Sequence, residues 1–201
     1  MKNLHSQIDI FYNTKNWKNY WIKGLADSIQ GEILDVGSGT GSNLPFYYKI
    51  KSSLKITCLE PDKKLFLNLK KKHKNKNKIV IKNIKLSQLI DKKKYNTIIY
   101  ADVLEHIKHD IKEVKLALNH LKKDGRLIIL CPAHNFLFTS FDTNVGHFRR
   151  YNKKMFQNFT IKNAKIEKIY YLDSLGFFLS LLNKFFLRRN PKKKEIKFWD
   201  N

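Results

Sequence analysis

The sequence predicts an α/β fold of three layers, in which a mostly parallel central sheet lies between helices. Short β-branched runs alternate with helical segments, and a glycine-rich loop follows the first run directly. The runs are apolar on successive residues, which is typical of strands that are buried on both faces. A chain of 201 residues can bury a sizeable core, so we predict one domain spanning residues 1–201.

Five runs have the character of buried strands. They are EILDVGSG from Glu32, KITCLEP from Lys55, KIVIKNI from Lys78, NTIIYAD from Asn96 and RLIILCPA from Arg126. Helices are expected between them at 62–72 and 104–121, and the sequence KKDG is expected to end the second helix. Such alternation of strands and helices predicts a parallel sheet that is covered by helices on both sides.

The segments on either side of this core are also assigned from their patterns. Residues 8–29 are rich in Tyr and Trp and predict one or two helices, within a helical cap over 1–30 that precedes a core over 31–172. A helix is expected at 152–159 and a strand at 165–172, before a tail over 173–201.

The formal charge of +23 invites a nucleic-acid hypothesis. However, lysine, asparagine and isoleucine are abundant while only five residues are arginine, as expected from a bias in codon composition. The lysine run at 70–78 contains no aromatic residue, which is typical of a solvated surface rather than of a nucleic-acid site. We therefore do not predict a nucleic-acid partner.

Cys58 and Cys131 lie in apolar runs and no signal peptide is evident, so a cytoplasmic protein with reduced thiols is expected.

The loop ILDVGSGTGSN carries the strongest functional signal. A buried strand at 33–36 leads into Gly37, Gly39 and Gly41, and glycines permit both a positive φ and the close approach of a ligand. The third glycine comes one position early for a dinucleotide fingerprint. Asp35 would repel a phosphate and suits a cationic or hydroxyl-bearing ligand. Glu60 ends the second strand, where a carboxylate can accept hydrogen bonds from both hydroxyls of a ribose.

Over residues 30–172 the sequence resembles class I S-adenosylmethionine-dependent methyltransferases. LDVGSGTG resembles the first motif of that family, and IIYADVLEHI is similar to the fourth-strand motif of its quinone-biosynthesis-like branch. LKKDGRLIILCPA resembles the turn and fifth strand. The resemblance implies a Rossmann-like fold, S-adenosylmethionine as the cofactor, and methyl transfer as the reaction. Members of the family normally end with a hairpin of two strands, and the final strand is not evident here, so we interpret the chain as a shortened protein or a fragment. The exposed sheet edge would favour a partner, for which a homodimer is one candidate.

The same resemblance implies roles for individual residues. The loop glycines would line the methionine moiety with Asp35 near its ammonium group, and Glu60 would bind the ribose. Asn83 stands where the family usually has an aspartate for the adenine amino group, and its side-chain carbonyl can accept the same hydrogen bond. The full cofactor set implied is Asp35, Gly37, Ser38, Gly39, Gly41, Glu60, Pro61, Asn83, Ile84, Ala101 and Asp102.

Candidate catalytic residues are expected after strands four and five, where open α/β sheets bind ligands. Methyl transfer depends on positioning and desolvation, and an amine or hydroxyl acceptor can also need a base. The candidates are His106, His134, His147 and Arg150.

Asp102, Glu105 and His106 are close enough in sequence to share a metal ion. The resemblance includes quinone O-methyltransferases with a similar LEH that use a divalent ion, but neighbours on an α-helix point about 100° apart, so a shared ligand set would need a special turn. No metal ligand is therefore assigned, and use of a divalent metal stays an open alternative.

The segment at 141–151, FDTNVGHFRRY, places two arginines beside a histidine, an aspartate and aromatic residues. It is similar to a subset of these methyltransferases that occurs together with polyprenyl-linked sugar and lipid glycosyltransferases. Residues 132–151 are therefore expected to cover the substrate pocket. An arginine fork suits a carboxylate or phosphate. Two hypotheses stay open, in which an arginine pairs with Asp142 or binds the acceptor, and we favour one arginine for each role.

The apolar segment at 174–189 predicts a helix with Gly176, Ser180, Asn183 and Lys184 on one narrow stripe. Sixteen helical residues reach about 24 Å, which is short of the hydrocarbon core of a bilayer. One interpretation is a helix that lies in the membrane interface, with the basic sequence RRNPKKK at headgroup level. The other is a helix that packs on its own domain or on a second subunit.

The function that these patterns favour is S-adenosylmethionine-dependent methylation, at oxygen or nitrogen, of a small, anionic or lipid-linked acceptor. The expected location is cytoplasmic, with peripheral membrane contact through 174–189. The charge supports RNA methylation as an alternative, although ADVLEH stands where an N-P-P-[YF]-like motif would be expected. A non-catalytic cofactor-binding or interaction module is the third hypothesis.

Overall fold

The structure, a computed structural model, describes residues 13–73, 77–90, 93–159, 161, 164–187 and 192–201. The chain divides into two compact units. The first, here called the sheet unit, consists of Ile22–Leu104 and His109–Leu130. The second, here called the C-terminal unit, consists of Glu105–Lys108, Cys131–Asn201 and Met1–Trp21, as far as these are described. That residues 1–201 form one domain, with the three predicted subdivisions, stays a prediction.

The sheet unit contains five strands, all parallel, in the order β3-β2-β1-β4-β5. The strands are β1 (Glu32–Val36), β2 (Lys55–Leu59), β3 (Ile79–Lys82), β4 (Tyr95–Ala101) and β5 (Leu121–Leu130). Helices α2 (Leu44–Ile50), α3 (Lys63–His73) and α4 (Asp110–Asn119) connect the strands, and α1 (Lys15–Gly24), of which only the last turn is assigned to the sheet unit, precedes them in the chain. The predicted α/β fold with a parallel central sheet is confirmed.

Burial follows the position of each strand in the sheet. Ile33 and Leu34 of β1 and Ile98 and Ile99 of β4 are fully buried on successive residues, whereas the edge strands β3 and β5 are mostly half-buried. Since β1 pairs with both β2 and β4, the chain reverses its direction of travel across the sheet beside β1. Parallel sheets bind ligands at the carboxyl ends of the strands at such a switch point.

The C-terminal unit is mainly helical. Its helices are α5 (Ser140–Val145), α6 (Lys153–Gln157), α7 (Ser174–Leu182), which continues as a π-helical turn over Asn183–Leu187, and α8 (Lys193–Asp200). The segment 132–151 is closed at its base, where His134 N–H donates to the carbonyl of Tyr151 and Tyr151 N–H to that of Pro132. The first N–H groups of α1 donate to the carboxylate of Asp200, and a negative charge there is favourable.

The predicted helix over 104–121 is wrong at both ends. Residues Leu104–His106 form a 3-10 turn, α4 begins only at Asp110, and KKDG lies within β5. In the C-terminal unit, the carbonyl of Glu105 accepts from Phe148 N–H, and those of Ile107 and Lys108 accept from Arg149. These carbonyls therefore bond to residues distant in sequence, and a local helical pattern does not reveal this.

The predicted strand over 165–172 is also wrong, because the structure assigns no regular element to these residues. Ile166 and Tyr170 are exposed. Tyr171 is held by its side chain, since its hydroxyl accepts from Lys153 N–H and its ring stacks on His134. In the described part of the chain no strand follows β5.

The helical prediction for 174–189 is confirmed as far as Leu187, and its last two residues lie outside the described part of the chain. Its polar stripe is half-buried, whereas the exposed face carries Leu175, Phe178, Leu182, Phe185 and Phe186. Among the described helices, none combines the length and the apolar character that spanning a membrane requires.

Candidate functional site

The glycine loop follows β1 at the switch point. Gly37, Gly39 and Gly41 all have positive φ. A Cβ at Gly37 would lie 2.6 Å from Val103 Cγ2, and one at Gly41 would lie 2.4 Å from Leu69 Cδ1. At Gly39 a Cβ would meet no protein atom within 4 Å. The outer two glycines are therefore required by packing within the protein, whereas Gly39 faces open space.

Asp35 is almost completely buried one residue before β1 ends. Its Oδ1 accepts a long hydrogen bond of 3.4 Å from the hydroxyl of Tyr47. Burial raises the pKa of Asp35 to about 7, and the nearby Glu60 contributes in the same direction. The hydroxyl of Ser38 donates to the carbonyl of Asp35, so it fixes the backbone of the loop.

Glu60, immediately after β2, is fixed by two backbone donors. Gly39 N–H donates to Oε2 at 2.7 Å and Asp62 N–H to Oε1 at 2.8 Å. Burial raises the pKa of Glu60, although these two hydrogen bonds act against that rise. A carboxylate has lone pairs for further donors, so Glu60 can still accept from a ligand hydroxyl.

The structure brings the rest of the predicted cofactor set to the same strand ends. Asn83 follows β3, and its amide nitrogen donates to the carbonyls of Glu60 and Pro61, which fixes the orientation of its side-chain oxygen. Ile84 is the next residue. Ala101 ends β4, and Asp102 has a φ of 56° and donates its N–H to the carbonyl of Leu130.

In the C-terminal unit, the carboxylate of Asp142 organises the segment 132–151. Its Oδ1 accepts from Nδ1 of His147 at 2.9 Å and from Nε of Arg150 at 2.8 Å, while Oδ2 accepts from Nη2 of Arg150 and from Thr139 N–H. Burial would raise the pKa of Asp142, but hydrogen bonds from His147 and Arg150 lower it to about 2. The hypothesis of a pair between Asp142 and one arginine is confirmed, and that arginine is Arg150.

Arg149 makes a different set of contacts. Its Nη1 donates to the carbonyl of Ile107 at 2.7 Å and its Nη2 to that of Lys108 at 2.8 Å. Both arginines therefore bind groups of their own unit, and these contacts do not favour the hypothesis that one of them binds the acceptor.

Two of the predicted catalytic histidines meet in this unit. The rings of His106 and His147 lie 4.6 Å apart between centroids, at 75°. His147 Nε2 is 3.9 Å from Oε1 of Glu105, which is fully buried. Burial, followed by the neighbouring His147, lowers the pKa of His106 to about 4. The sequence grouped Glu105 and His106 with Asp102 and named His147 separately as a catalytic candidate. It did not predict that His147 lies beside Glu105 and His106, because that proximity results from a contact between distant segments, in which Phe148 N–H donates to the carbonyl of Glu105.

His134 lies in an aromatic cluster rather than beside these two histidines. Its ring stacks on Tyr171 at 4.5 Å and meets Phe177 edge-on at 4.9 Å. Its backbone is left-handed, with φ 63°. Burial lowers the pKa of His134, and the charge of Arg150 adds to that effect.

A parallel α/β sheet with a glycine loop and an acidic residue at the ends of neighbouring strands defines a Rossmann-like ligand-binding protein. A family model described as "Methyltransferase domain" matches residues 20–179. The chain therefore belongs to this methyltransferase family, and the resemblance to class I S-adenosylmethionine-dependent methyltransferases is confirmed.

Solved structures with the same fold include the YcgJ protein from Bacillus subtilis, with a TM-score of 0.58, 15% identity, and coverage of 71% of this chain and 65% of that one. DesVI from Streptomyces venezuelae has a TM-score of 0.52 and 16% identity, covering 62% and 56% respectively. Coclaurine N-methyltransferase, bound to N-methylheliamine and SAH, has a TM-score of 0.52 and 14% identity, covering 59% and 36%. The chain thus spans less than two thirds of each.

We predict that Asp35→Asn makes the ligand-free protein increasingly more stable than the wild type as the pH rises from about 4 to about 7. The folded protein holds the Asp35 proton up to a pKa of about 7, against an ordinary value of 3.8, so wild-type stability falls over this interval. The difference should grow by about 1.4 kcal/mol per pH unit at most. Urea denaturation at several pH values measures it, and a difference that does not change with pH would contradict the burial argument.

We predict that Arg150→Lys lowers the free energy of unfolding by about 1–3 kcal/mol, because lysine cannot reproduce the two-bond contact with the buried Asp142 carboxylate. Arg149→Lys is the matched control. Arg149 donates to uncharged carbonyls nearer the surface, so its replacement should lower the free energy of unfolding by less. Chemical denaturation at fixed pH compares the two. Equal losses would argue against a special role for the Asp142 ion pair.

Proposed function

We propose that this chain is an S-adenosylmethionine-dependent methyltransferase that methylates oxygen or nitrogen of a small, anionic or lipid-linked acceptor. The family match supports the reaction class. The observation that carries the proposal is the hydrogen bond from Gly39 N–H to Glu60, because it holds a carboxylate beside the loop glycine that faces open space.

The residues present fit this cofactor. The open space at Gly39 allows a ligand to approach the backbone, and Glu60 has acceptor capacity for ribose hydroxyls. The Asn83 amide donates to two carbonyls, so its oxygen suits the adenine amino group. Asp35 is a buried carboxylate that would accept from the ammonium group. When bound, S-adenosylmethionine supplies an electrophilic methyl group on a sulfonium.

On the acceptor side, we propose His106 and His147 as the residues that act on the nucleophile. They adjoin each other and the buried carboxyl group of Glu105, so this cluster gathers polar groups that can orient an acceptor. We propose that His134, within its aromatic cluster, contributes to an acceptor surface. Arg150 enters as the residue that positions His147 through Asp142.

We predict that Gly39→Ala weakens S-adenosylmethionine binding by about tenfold or more, because the added methyl enters the open space and strains a positive φ. Isothermal titration measures binding, and thermal melting separates it from loss of the fold. Gly24→Ala is the control, since it adds the same methyl where nothing lies within 4 Å and φ is not positive. No binding by the wild type, or equal binding by both variants, would contradict the assignment.

Labelled S-adenosylmethionine then tests the acceptor class. The wild type should transfer label to an extract of small metabolites or lipids and not to bulk RNA. Label that appears only in RNA would support the alternative that the net charge of +23 suggests. Binding without transfer to any of these pools would support a non-catalytic module.

We further propose that α7 and its π-helical turn contact an anionic membrane surface, where a lipid-linked acceptor would be met. Five large apolar side chains are exposed on one face, among them Phe178 at 63% and Phe186 at 76%. Lysines follow at 192–194 in the sequence, where α8 begins. An apolar face accompanied by lysines is typical of helices that bind anionic lipid interfaces.

We predict that the protein co-sediments with anionic vesicles more than with neutral ones, and that Phe178→Glu abolishes this binding. Ile90→Glu is the control, because Ile90 is 97% exposed in the sheet unit and outside the proposed face. Absence of wild-type binding, or equal binding by Phe178→Glu, would overturn the proposal. If Phe178→Glu instead splits a dimer in light scattering, the face is a subunit interface.

A further inference from the structure

Three side chains with metal-binding atoms converge in the C-terminal unit. Glu105, His106 and His147 each place one ligand atom within 4.8 Å of the other two. The closest measured approach between His147 and the carboxylate is 3.9 Å, from Nε2 to Oε1 of Glu105. The two histidines come from separate segments, so their convergence results from tertiary folding and not from sequence proximity.

Backbone hydrogen bonds fix both segments. Phe148 N–H donates to the carbonyl of Glu105 at 2.8 Å, which ties the residue after His147 to the turn that carries the other two. His147 N–H donates to the carbonyl of Asp142 at 2.8 Å. Arg149 holds the same turn through the carbonyls of Ile107 and Lys108. The three side chains therefore stand on a backbone that is fixed on both sides.

The imidazole of His147 is oriented as a metal ligand would be. Its Nδ1 is 2.9 Å from Oδ1 of Asp142, a carboxylate to which Arg150 also donates twice. A carboxylate in an ion pair only accepts hydrogen bonds, so Nδ1 carries a hydrogen, and in the neutral imidazole that binds metals the lone pair is then on Nε2. Nε2 is the atom that faces Glu105. A carboxylate behind the distal imidazole nitrogen is the usual support of a metal-binding histidine.

We propose that Glu105, His106 and His147 bind one divalent transition-metal cation, such as Zn²⁺ or Mn²⁺. Two imidazoles and one carboxylate favour such ions over Mg²⁺ and Ca²⁺, which prefer oxygen ligands. Ligand atoms at about 2.1 Å from a tetrahedral Zn²⁺ lie about 3.4 Å apart, so binding requires each ligand atom to move inward by up to about 0.7 Å from separations within 4.8 Å.

Three protein ligands leave at least one coordination position for another molecule, as in catalytic metal sites. That position suits an oxygen ligand such as water or a hydroxyl group. The metal site itself rests only on the side-chain geometry.

Calorimetric titration of untagged, chelator-treated protein with ZnCl₂, MnCl₂ and MgCl₂ tests the site. We expect one equivalent of Zn²⁺ or Mn²⁺ to bind, and Mg²⁺ to bind at least tenfold more weakly. His147→Ala and Glu105→Gln should each weaken Zn²⁺ binding at least tenfold. His109→Ala is the matched control, since His109 is exposed and outside the cluster. No wild-type binding, or equal binding by His147→Ala and His109→Ala, would overturn the proposal.

Glu105 is fully buried, so Glu105→Gln can fail to fold, and a readout on the wild type alone is needed. Co²⁺ bound by two histidines should give visible d–d absorption and two paramagnetically shifted imidazole N–H signals in the NMR spectrum; their absence would overturn the site. S-adenosylmethionine is titrated into the same sample. Retained cofactor binding without metal binding refutes this inference alone, whereas metal binding without cofactor binding refutes only the proposed function.

Discussion

The carboxylate of Asp142 accepts hydrogen bonds from the start of α5 and from two residues beyond its end. It receives Thr139 N–H at one side, and His147 and Arg150 at the other. A fully buried carboxylate is costly unless donors and positive charge surround it, and removing one partner leaves that cost uncompensated. The fold of the segment 132–151 and the orientation of His147 therefore depend on the same group.

This constraint explains why arginine appears here in a chain that otherwise uses lysine. Arg150 donates through two nitrogens to one carboxylate, and Arg149 donates through two nitrogens to the carbonyls of successive residues. Lysine is a point charge on a flexible stem and cannot hold two acceptors in a fixed plane. The lysines contribute most of the net charge, whereas these arginines determine local structure. The large positive charge is therefore weak support for a nucleic-acid function.

The sheet and the glycine loop could be predicted from sequence because their signals are local. Continuous apolar runs predict the five strands, and the loop glycines with Asp35 and Glu60 indicate the ligand site. The errors have a common cause in tertiary contacts. The helix over 104–121 is interrupted where distant donors bind its carbonyls, and residues 165–172 are held by the side chain of Tyr171. The convergence of Glu105 with His147 depends on both segments and has no local signal.

Asp35 and Asp142 are both buried carboxylates, but their surroundings differ in one respect. Asp142 has Arg150 beside it, and its pKa is about 2. The groups that act on Asp35 are Ser38, Tyr47 and the acidic Glu60, none of which is a cation, and its pKa is about 7. A cationic group of a ligand placed at Asp35 would do what Arg150 does at Asp142, since it would favour the ionised carboxylate. Ligand binding at the carboxyl end of β1 should therefore release a proton near neutral pH, and a ligand without a positive charge would not offset the cost of burying Asp35.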